Sequence, residues 1–274
     1  MAIGKLVSRS SYYTTLSALA ILFLFPLVWA AWAAVKPTPG SGQQLGYGIG
    51  NFIKLARYGQ GLPTYVLNSV QVAALTVTGT LTVATLGGYA FARFRFPGRN
   101  LIFLATLAIL MVPYPTLLIP LYVLLGWLGL QNSLLGLALV FTLFQLPFAV
   151  FIMRNSFEAV PTELDEAAMV DGCNSFAVLT RILLHAVRPG LITIGLFAFL
   201  ASWNDFIGPL ILISSPDKIP LPVAVVNMQQ QVFGSIDYAA LEAGVTLLAL
   251  PCVVLFLILQ RGYVQGFMSG SLHG

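Results

Sequence analysis

The sequence predicts an all-α, polytopic membrane protein with six transmembrane helices, and three observations carry that expectation. Of its 274 residues, 58% are hydrophobic and only 8% are charged, whereas soluble domains carry about 25% charged residues. The mean hydropathy is +0.90. Apolar runs of about twenty residues, long enough to cross a bilayer, recur between short polar stretches. The whole chain, 1–274, is expected to form one transmembrane domain without internal repeats.

The first span is expected at about 13–35, after Lys5 and Arg9. Ala31-Trp32-Ala33 has the form of a signal-cleavage site, but the run is well beyond the 7–15 residues of a signal core, so the span is read as retained. Residues 36–64 are rich in Gly and Pro and read as an exposed loop. The second span covers about 65–92 and ends at Arg93, Arg95 and Arg99. The third, about 101–128, is interrupted by Pro113, Pro115 and Pro120. Those prolines free backbone groups that only neighbouring helices or water can satisfy, so a kinked, interior span is expected. A turn at 129–133 leads to the fourth span, about 134–153. A polar stretch, 154–189, separates it from the fifth, about 190–213. A polar loop over 214–238 precedes the sixth, about 239–260.

Orientation follows from Lys and Arg placement. With the N-terminus inside, nine of the thirteen basic residues are cytoplasmic (Lys5, Arg9, Arg93, Arg95, Arg99, Arg154, Arg181, Arg188 and Arg261). Lys36, Lys54, Arg57 and Lys218 fall outside. Both termini are therefore expected in the cytoplasm, and 154–189 with them.

Several function classes are disfavoured. The net charge of +4 comes from scattered single basic residues and reads as membrane orientation rather than nucleic-acid binding. Cys173 and Cys252 fall in a cytoplasmic loop and a span, where no disulfide is expected. His185 and His273 make no metal-ligand spacing. The chain has no phosphate-binding glycine loop and no nucleophilic serine motif. No catalytic, cofactor or metal site is expected.

The polar stretch 161–172 organises the rest. It holds four of the nine acidic residues, Glu163, Asp165, Glu166 and Asp171. Thr162 with Asp165 reads as an approximate N-cap, and acids suit the positive start of a helix. Gly172 supplies a left-handed C-cap position. Asn174 or Ser175 can open a second helix, with Phe176, Leu179, Ile182, Leu183 and Ala186 on one face. On spacing alone this hairpin is equally well a solvated loop or a partner-docking element.

Within the spans, Asn68, Gln71, Gln145, Asn204 and Asp205 are candidates for a translocation pathway, since embedded polar groups face water or a polar partner. Hydrogen bonding to a neighbouring helix explains them equally well, except at Trp203-Asn204-Asp205-Phe206, where three polar-capable side chains cluster; at Gln145-Leu146-Pro147 unwinding by the proline alone explains the glutamine. Between the fifth and sixth spans, apolar Leu221-Pro222-Val223 precedes the amides Asn227, Gln229, Gln230 and Gln231. Such a mixture suits a surface covered for part of a cycle and wet for the rest.

Glu166-Ala167-Ala168, Asp171-Gly172, Ile182 and Leu184 resemble the EAA loop of permeases of ATP-binding-cassette importers. The resemblance extends along the chain through Gly88-Tyr89-Ala90-Phe91-Ala92-Arg93, Ile119-Pro120-Leu121-Tyr122, Leu146-Pro147-Phe148, Trp203-Asn204 and Leu221-Pro222-Val223. The order and spacing are similar to the six-span partner of the maltose-transporter type. One departure is His185, where the family usually has Pro. The resemblance implies that Glu166, Ala167, Ala168, Asp171 and Gly172 couple the chain to a cytoplasmic ATPase. It also implies a heterodimer with a second permease, two ATPase subunits and an extracytoplasmic solute-binding protein, which the 227–231 loop would contact. The implied setting is the inner membrane of a bacterium or archaeon, and the implied activity is ATP-driven uptake of a sugar or oligosaccharide. Two rivals stand: the same architecture importing another solute, such as glycerol phosphate or a peptide, and a self-sufficient secondary transporter. The second would normally show paired broken repeats and embedded coupling charges.

Overall fold

Prolines and a single carboxylate decide where the long apolar runs become continuous helices and where they break. The computed structural model describes residues 2–37, 47–230 and 238–270, with side chains over 12–37, 47–228 and 238–259. Its helices, in order, are α1 (Ala2–Val35), α2 (Gly50–Ala56), α3 (Leu62–Arg93), α4 (Arg99–Ala108), α5 (Tyr114–Trp127) and α6 (Leu134–Glu158). They continue with α7 (Glu163–Val170), α8 (Ser175–Val178), α9 (Leu184–Ala186), α10 (Arg188–Asn204), α11 (Ile207–Leu212), α12 (Leu221–Gln230) and α13 (Tyr238–Gly270). No strand occurs among the described residues.

Four helical segments, Tyr12–Val35, Leu62–Arg93, Leu134–Glu158 and Tyr238–Leu259, are long and apolar enough to cross a membrane unbroken. The expected third span is bent far more sharply than a kink. Val112 is extended (φ −87°, ψ 124°) ahead of Pro113, because a residue before proline is disfavoured in the helical region. The segments Arg99–Met111 and Tyr114–Trp127 consequently meet at 107°. The expected fifth span is also divided. Asp205 is extended (φ −71°, ψ 131°) and ends α10, and α11 starts afresh at Ile207.

The residues fall into two compact units, Met1–Pro63 with Ala224–Pro251, and Thr64–Val223 with Cys252–Gly274. In the first, Asn51 of α2 is buried and donates from Nδ2 to the carbonyls of Ala34 and Lys36, both at 2.8 Å. That pair of bonds satisfies the carbonyls at the end of α1 and fixes α2 beside it. Leu55, Met228 and Ala240 form a small core with Tyr58 and Leu247.

In the second unit α3 and α6 pack at close range. A Cβ at Gly88 would lie 2.5 Å from Met153 Cβ and 2.9 Å from the Arg154 backbone nitrogen, so only glycine fits there. The approach seats Tyr89, Phe103, Val150, Met153, Phe157, Val178, Leu183 and Ile194 in one core. A second core gathers Val72, Leu118, Leu137, Phe141 and Leu212. Ser133 caps α6 by accepting from the Gly136 N–H at 3.0 Å.

The loop expected over 214–238 is partly helical. Leu221, Val225 and Met228 recur at helical spacing and are buried, and Pro222 sits in the first turn, where its missing N–H does no harm. The amide run obscured that period in the sequence. Gln231 lies outside the described residues, as does the rest of 231–237.

Candidate functional site

The acidic stretch does form a helical hairpin in the second unit, and its turn is a complete Schellman motif. Gly172 adopts φ +87°. The Gly172 N–H donates to the Met169 carbonyl at 3.0 Å and the Cys173 N–H to the Ala168 carbonyl at 2.9 Å, so the last carbonyls of α7 find partners. Asn174 then caps α8 through its side-chain oxygen, which accepts from the Ala177 N–H at 2.8 Å. Thr162, expected to cap α7, makes no side-chain cap bond, because its own backbone is already helical (φ −68°, ψ −22°).

The arm after the turn contains a π-helical segment, Leu179–Leu183. Its wider turn shifts the buried face from the one expected. Val178, Leu179, Leu183 and Val187 are buried, whereas Phe176 is 67% exposed. Phe176 instead lines an open apolar cleft of about 870 Å3, together with Leu81, Leu196 and Phe199.

α7 presents one face inward and the rest to solvent. Asp165 and Ala168, three residues apart, are buried. Glu166, Ala167, Asp171 and Gly172 are exposed, as are Leu164, Met169 and Val170. Ala168 thus belongs to the hairpin's seat rather than to its outer surface. The surface combines three acids, Glu163, Glu166 and Asp171, with apolar side chains, Val170 being 87% exposed.

The seat is built by the last turn of α3. Arg93 Nε lies 2.7 Å from Asp165 Oδ2, with side chains 9% and 11% exposed. An Arg93 terminal nitrogen also donates to the Val160 carbonyl at 2.8 Å. The pair is a close ionic contact rather than an aligned hydrogen bond, since Arg93 Nε and Asp165 Oδ1 lack hydrogen-bond partners among the described residues. One turn earlier, Tyr89 donates its hydroxyl to the Ser175 carbonyl at 3.3 Å. The α3 end therefore grips both arms of the hairpin. In the sequence, Tyr89 and Arg93 stand at the basic end of the second span and in the resemblance stretch 88–93, and neither signal points to the hairpin.

The intramembrane polar residues are only partly brought together. Gln145 and Asp205 line a pocket of about 430 Å3 with Tyr114, Phe141 and Phe144, beside the break between α4 and α5. Asp205 Oδ1 accepts from the Gly208 N–H at 2.7 Å and from the Tyr114 hydroxyl at 3.2 Å. It therefore restarts the helix at α11 while staying at the pocket wall. Tyr114 and Phe144 meet edge to face at 4.7 Å.

The others lie elsewhere. Asn68 is buried and donates to the carbonyls of Asp217 and Ile219 at 2.8 and 3.1 Å. Gln71 is exposed on α3. Asn204 is exposed, bonding the Leu200 carbonyl at 3.0 Å and Cys252 Sγ at 3.6 Å. Asn227 is half-buried on α12, with Gln229 and Gln230 on the same helix.

Comparison with known proteins gives a consistent picture. Residues 84–267 match the family described as binding-protein-dependent transport system inner membrane component. The chain is 31% identical to the probable ABC transporter permease protein YurM of Bacillus subtilis, over 98% of this chain and 90% of that one. It is 33% identical to the diacetylchitobiose uptake system permease protein DasC of Streptomyces coelicolor, over 93% and 94%. It is 31% identical to the lactose transport system permease protein LacG of Rhizobium radiobacter, over 95% and 94%. The fold matches a chain of a bacterial ABC transporter that imports the acidic polysaccharide alginate. That match has a TM-score of 0.78 at 19% identity, over 93% of this chain and 96% of that one.

Proposed function

The chain belongs to the family of binding-protein-dependent transport system inner membrane components, and from that premise we propose how this permease subunit of an ATP-binding-cassette importer moves its solute. Its cargo is a sugar or oligosaccharide, in keeping with the names of its relatives. The observation that carries the mechanism is the hairpin, an exposed acidic and apolar surface on a rigid turn, anchored from behind by Arg93 and Tyr89.

Such a surface is suited to docking. Glu166, Ala167, Asp171 and Gly172 are the contacts to a cytoplasmic ATPase, with Ala168 holding the hairpin from within. ATP hydrolysis belongs to that separate subunit, present in two copies, and this chain is not an enzyme. When the ATPase pair closes, the hairpin is pushed as a unit, because the ion pair couples it to α3 and Gly88 couples α3 to α6. A rigid lever of that kind turns a cytoplasmic movement into rocking of the spans, the basis of alternating access.

The spans form one transmembrane domain with both termini in the cytoplasm, paired with a second permease. Gln145 and Asp205 face the solute path from the pocket at the α4–α5 break. Its aromatic walls and convergent polar groups are the usual chemistry of a small-molecule site. Asn68 holds the 217–219 backbone in place of lining the path, and α12 faces an extracytoplasmic binding protein. Importing another solute with this architecture is the second reading; the relatives' names favour sugars. A self-sufficient secondary transporter would have no use for an anchored acidic hairpin.

The test is purification of the tagged chain in mild detergent, identification of its companions, and reconstitution with the companion binding protein. Co-purification of an ATPase whose hydrolysis rises with sugar-loaded binding protein is the expected result. A chain that transports alone, or a complex stimulated only by a non-sugar solute, would refute the corresponding half of the proposal.

A further inference from the structure

In the first unit, α1 and the N-terminal part of α13 hold a groove to which the proposed solute path assigns no role. It measures about 600 Å3 and is lined by Phe25, Pro26, Trp29 and Ala30 of α1 and by Glu242 and Val245 of α13. Five of these six residues are apolar. Glu242 lies one turn inside α13, within the span Tyr238–Leu259, so Asp205 is not the only carboxylate embedded in an apolar run. The Glu242 backbone carbonyl accepts from Thr246 at 2.8 Å, but its carboxylate has no partner among the described residues. A charged group in a span is costly unless something pairs with it.

The depth of the groove is marked by its neighbours. Trp29 and Trp32 lie 5.1 Å apart. Lys36 Nζ sits 3.2 Å from the Trp32 ring centre and 5.5 Å from that of Trp29. Tryptophan and lysine in this combination identify the membrane–water interface. Trp29 therefore stands at headgroup level, with Phe25 one turn deeper along α1.

We propose that this groove is a site for a phospholipid with a primary ammonium headgroup. The ammonium pairs with the Glu242 carboxylate and lies against the face of Trp29, an arrangement favoured by both charge and the ring quadrupole. An acyl chain follows Phe25, Pro26 and Val245. A sugar fits poorly, because its hydroxyls need several polar partners and the groove supplies one polar side chain. The long helices on either side have only 11% of their apolar windows buried within this chain, which leaves apolar surface for lipid as well as for the second permease. The inference rests on the membrane assignment alone and is independent of the cargo.

The full chain, purified in mild detergent with its companion subunits, is incubated with an equimolar mixture of phosphatidylethanolamine and phosphatidylglycerol. Retained lipids are then counted by native mass spectrometry. The wild-type complex should keep ethanolamine lipid preferentially. Glu242→Gln should lower that retention about fivefold, the upper end of what one partly exposed ion pair supplies, and leave glycerol lipid unchanged. Val245→Trp, which fills the groove and spares the carboxylate, should lower it similarly, and it decides the matter if Glu242→Gln fails to assemble. Equal ethanolamine-lipid retention in wild type and variants overturns the proposal. So does a Glu242→Gln complex that keeps this lipid but loses its companion permease, which would give the carboxylate to a partner helix. Unchanged lipid with a raised KM for solute would give it to the transport path, and overturns the proposal equally.

Discussion

Arg93 Nε stands 2.7 Å from Asp165 Oδ2, so the last residue of a membrane span and the first turn of a hydrophilic helix are joined by charge. Both side chains are nearly buried. Removing one partner of such a pair strands the other in a poorly hydrated site, at a cost of about 3 kcal/mol. Arg93→Gln or Asp165→Asn should therefore loosen the hairpin by roughly that amount, read as faster amide exchange across residues 163–178. Exchanging the two, Arg93→Asp with Asp165→Arg, should restore part of the protection. Glu166→Lys changes an exposed charge and should leave exchange as it was while weakening ATPase association. Unaltered exchange in both single variants would show that the contact does not anchor the hairpin.

This contact also marks where sequence reading stops. The turn chemistry was legible, because Gly172 and Asn174 act on their own neighbours and need no distant partner. The Arg93–Asp165 pair spans 72 positions, and no local pattern joins them. Of the three prolines expected to interrupt the third span, those at 113 and 115 lie at the break and Pro120 lies inside α5; none gives the 107° angle, since α5 also packs against α6 and α11. The π segment moved the buried face from Ala186 to Val187, since a uniform 3.6-residue period cannot anticipate one wide turn. Glu242 is a single acid in an apolar run with no local pattern around it, and only the groove beside it gives it meaning.

The Gly172 turn separates backbone demand from space. A Cβ at Gly172 would meet nothing within 4 Å, yet φ is +87°. Any defect on substitution must then come from left-handed strain, about 1–2 kcal/mol for an ordinary side chain, or from a collision with a docked partner. Gly172→Val should abolish uptake while the complex still reaches the membrane. Gly172→Asn tolerates the left-handed region and should keep appreciably more uptake than the valine variant. Normal uptake by Gly172→Val would reduce the hairpin to a solvated loop.

Orientation can be read by thiol labelling in a Cys173→Ser, Cys252→Ser background. Tyr47 and Val170 are 70% and 87% exposed, so cysteines there should react freely on whichever side they face. Tyr47→Cys should react with an impermeant reagent added to intact cells, and Val170→Cys only after the membrane is opened. The reverse pattern would invert the proposed topology.

The segment after the fifth span asks for a gentler test than its amide-rich sequence suggests. Were 227–231 a plain loop, replacing it with Gly and Ser would probe side chains alone. Asn227, Gln229 and Gln230 instead lie on α12, and Met228 between them is 8% exposed in a core with Leu55 and Ala240. Glycine in a helix interior costs about 1 kcal/mol per residue relative to alanine. A Gly/Ser replacement would therefore melt α12 and pull Met228 from its core. Its effect on transport would then report folding. Asn227→Ala, Gln229→Ala and Gln230→Ala, made together, remove the amides, keep Met228 and favour the helix. This triple variant should assemble normally and hydrolyse ATP at the basal rate. Stimulation by the binding protein should fall, and uptake with it, if the proposed contact of α12 with that protein runs through these amides. Full stimulation in the triple variant would leave α12 as a connector whose buried face matters and whose outer face does not.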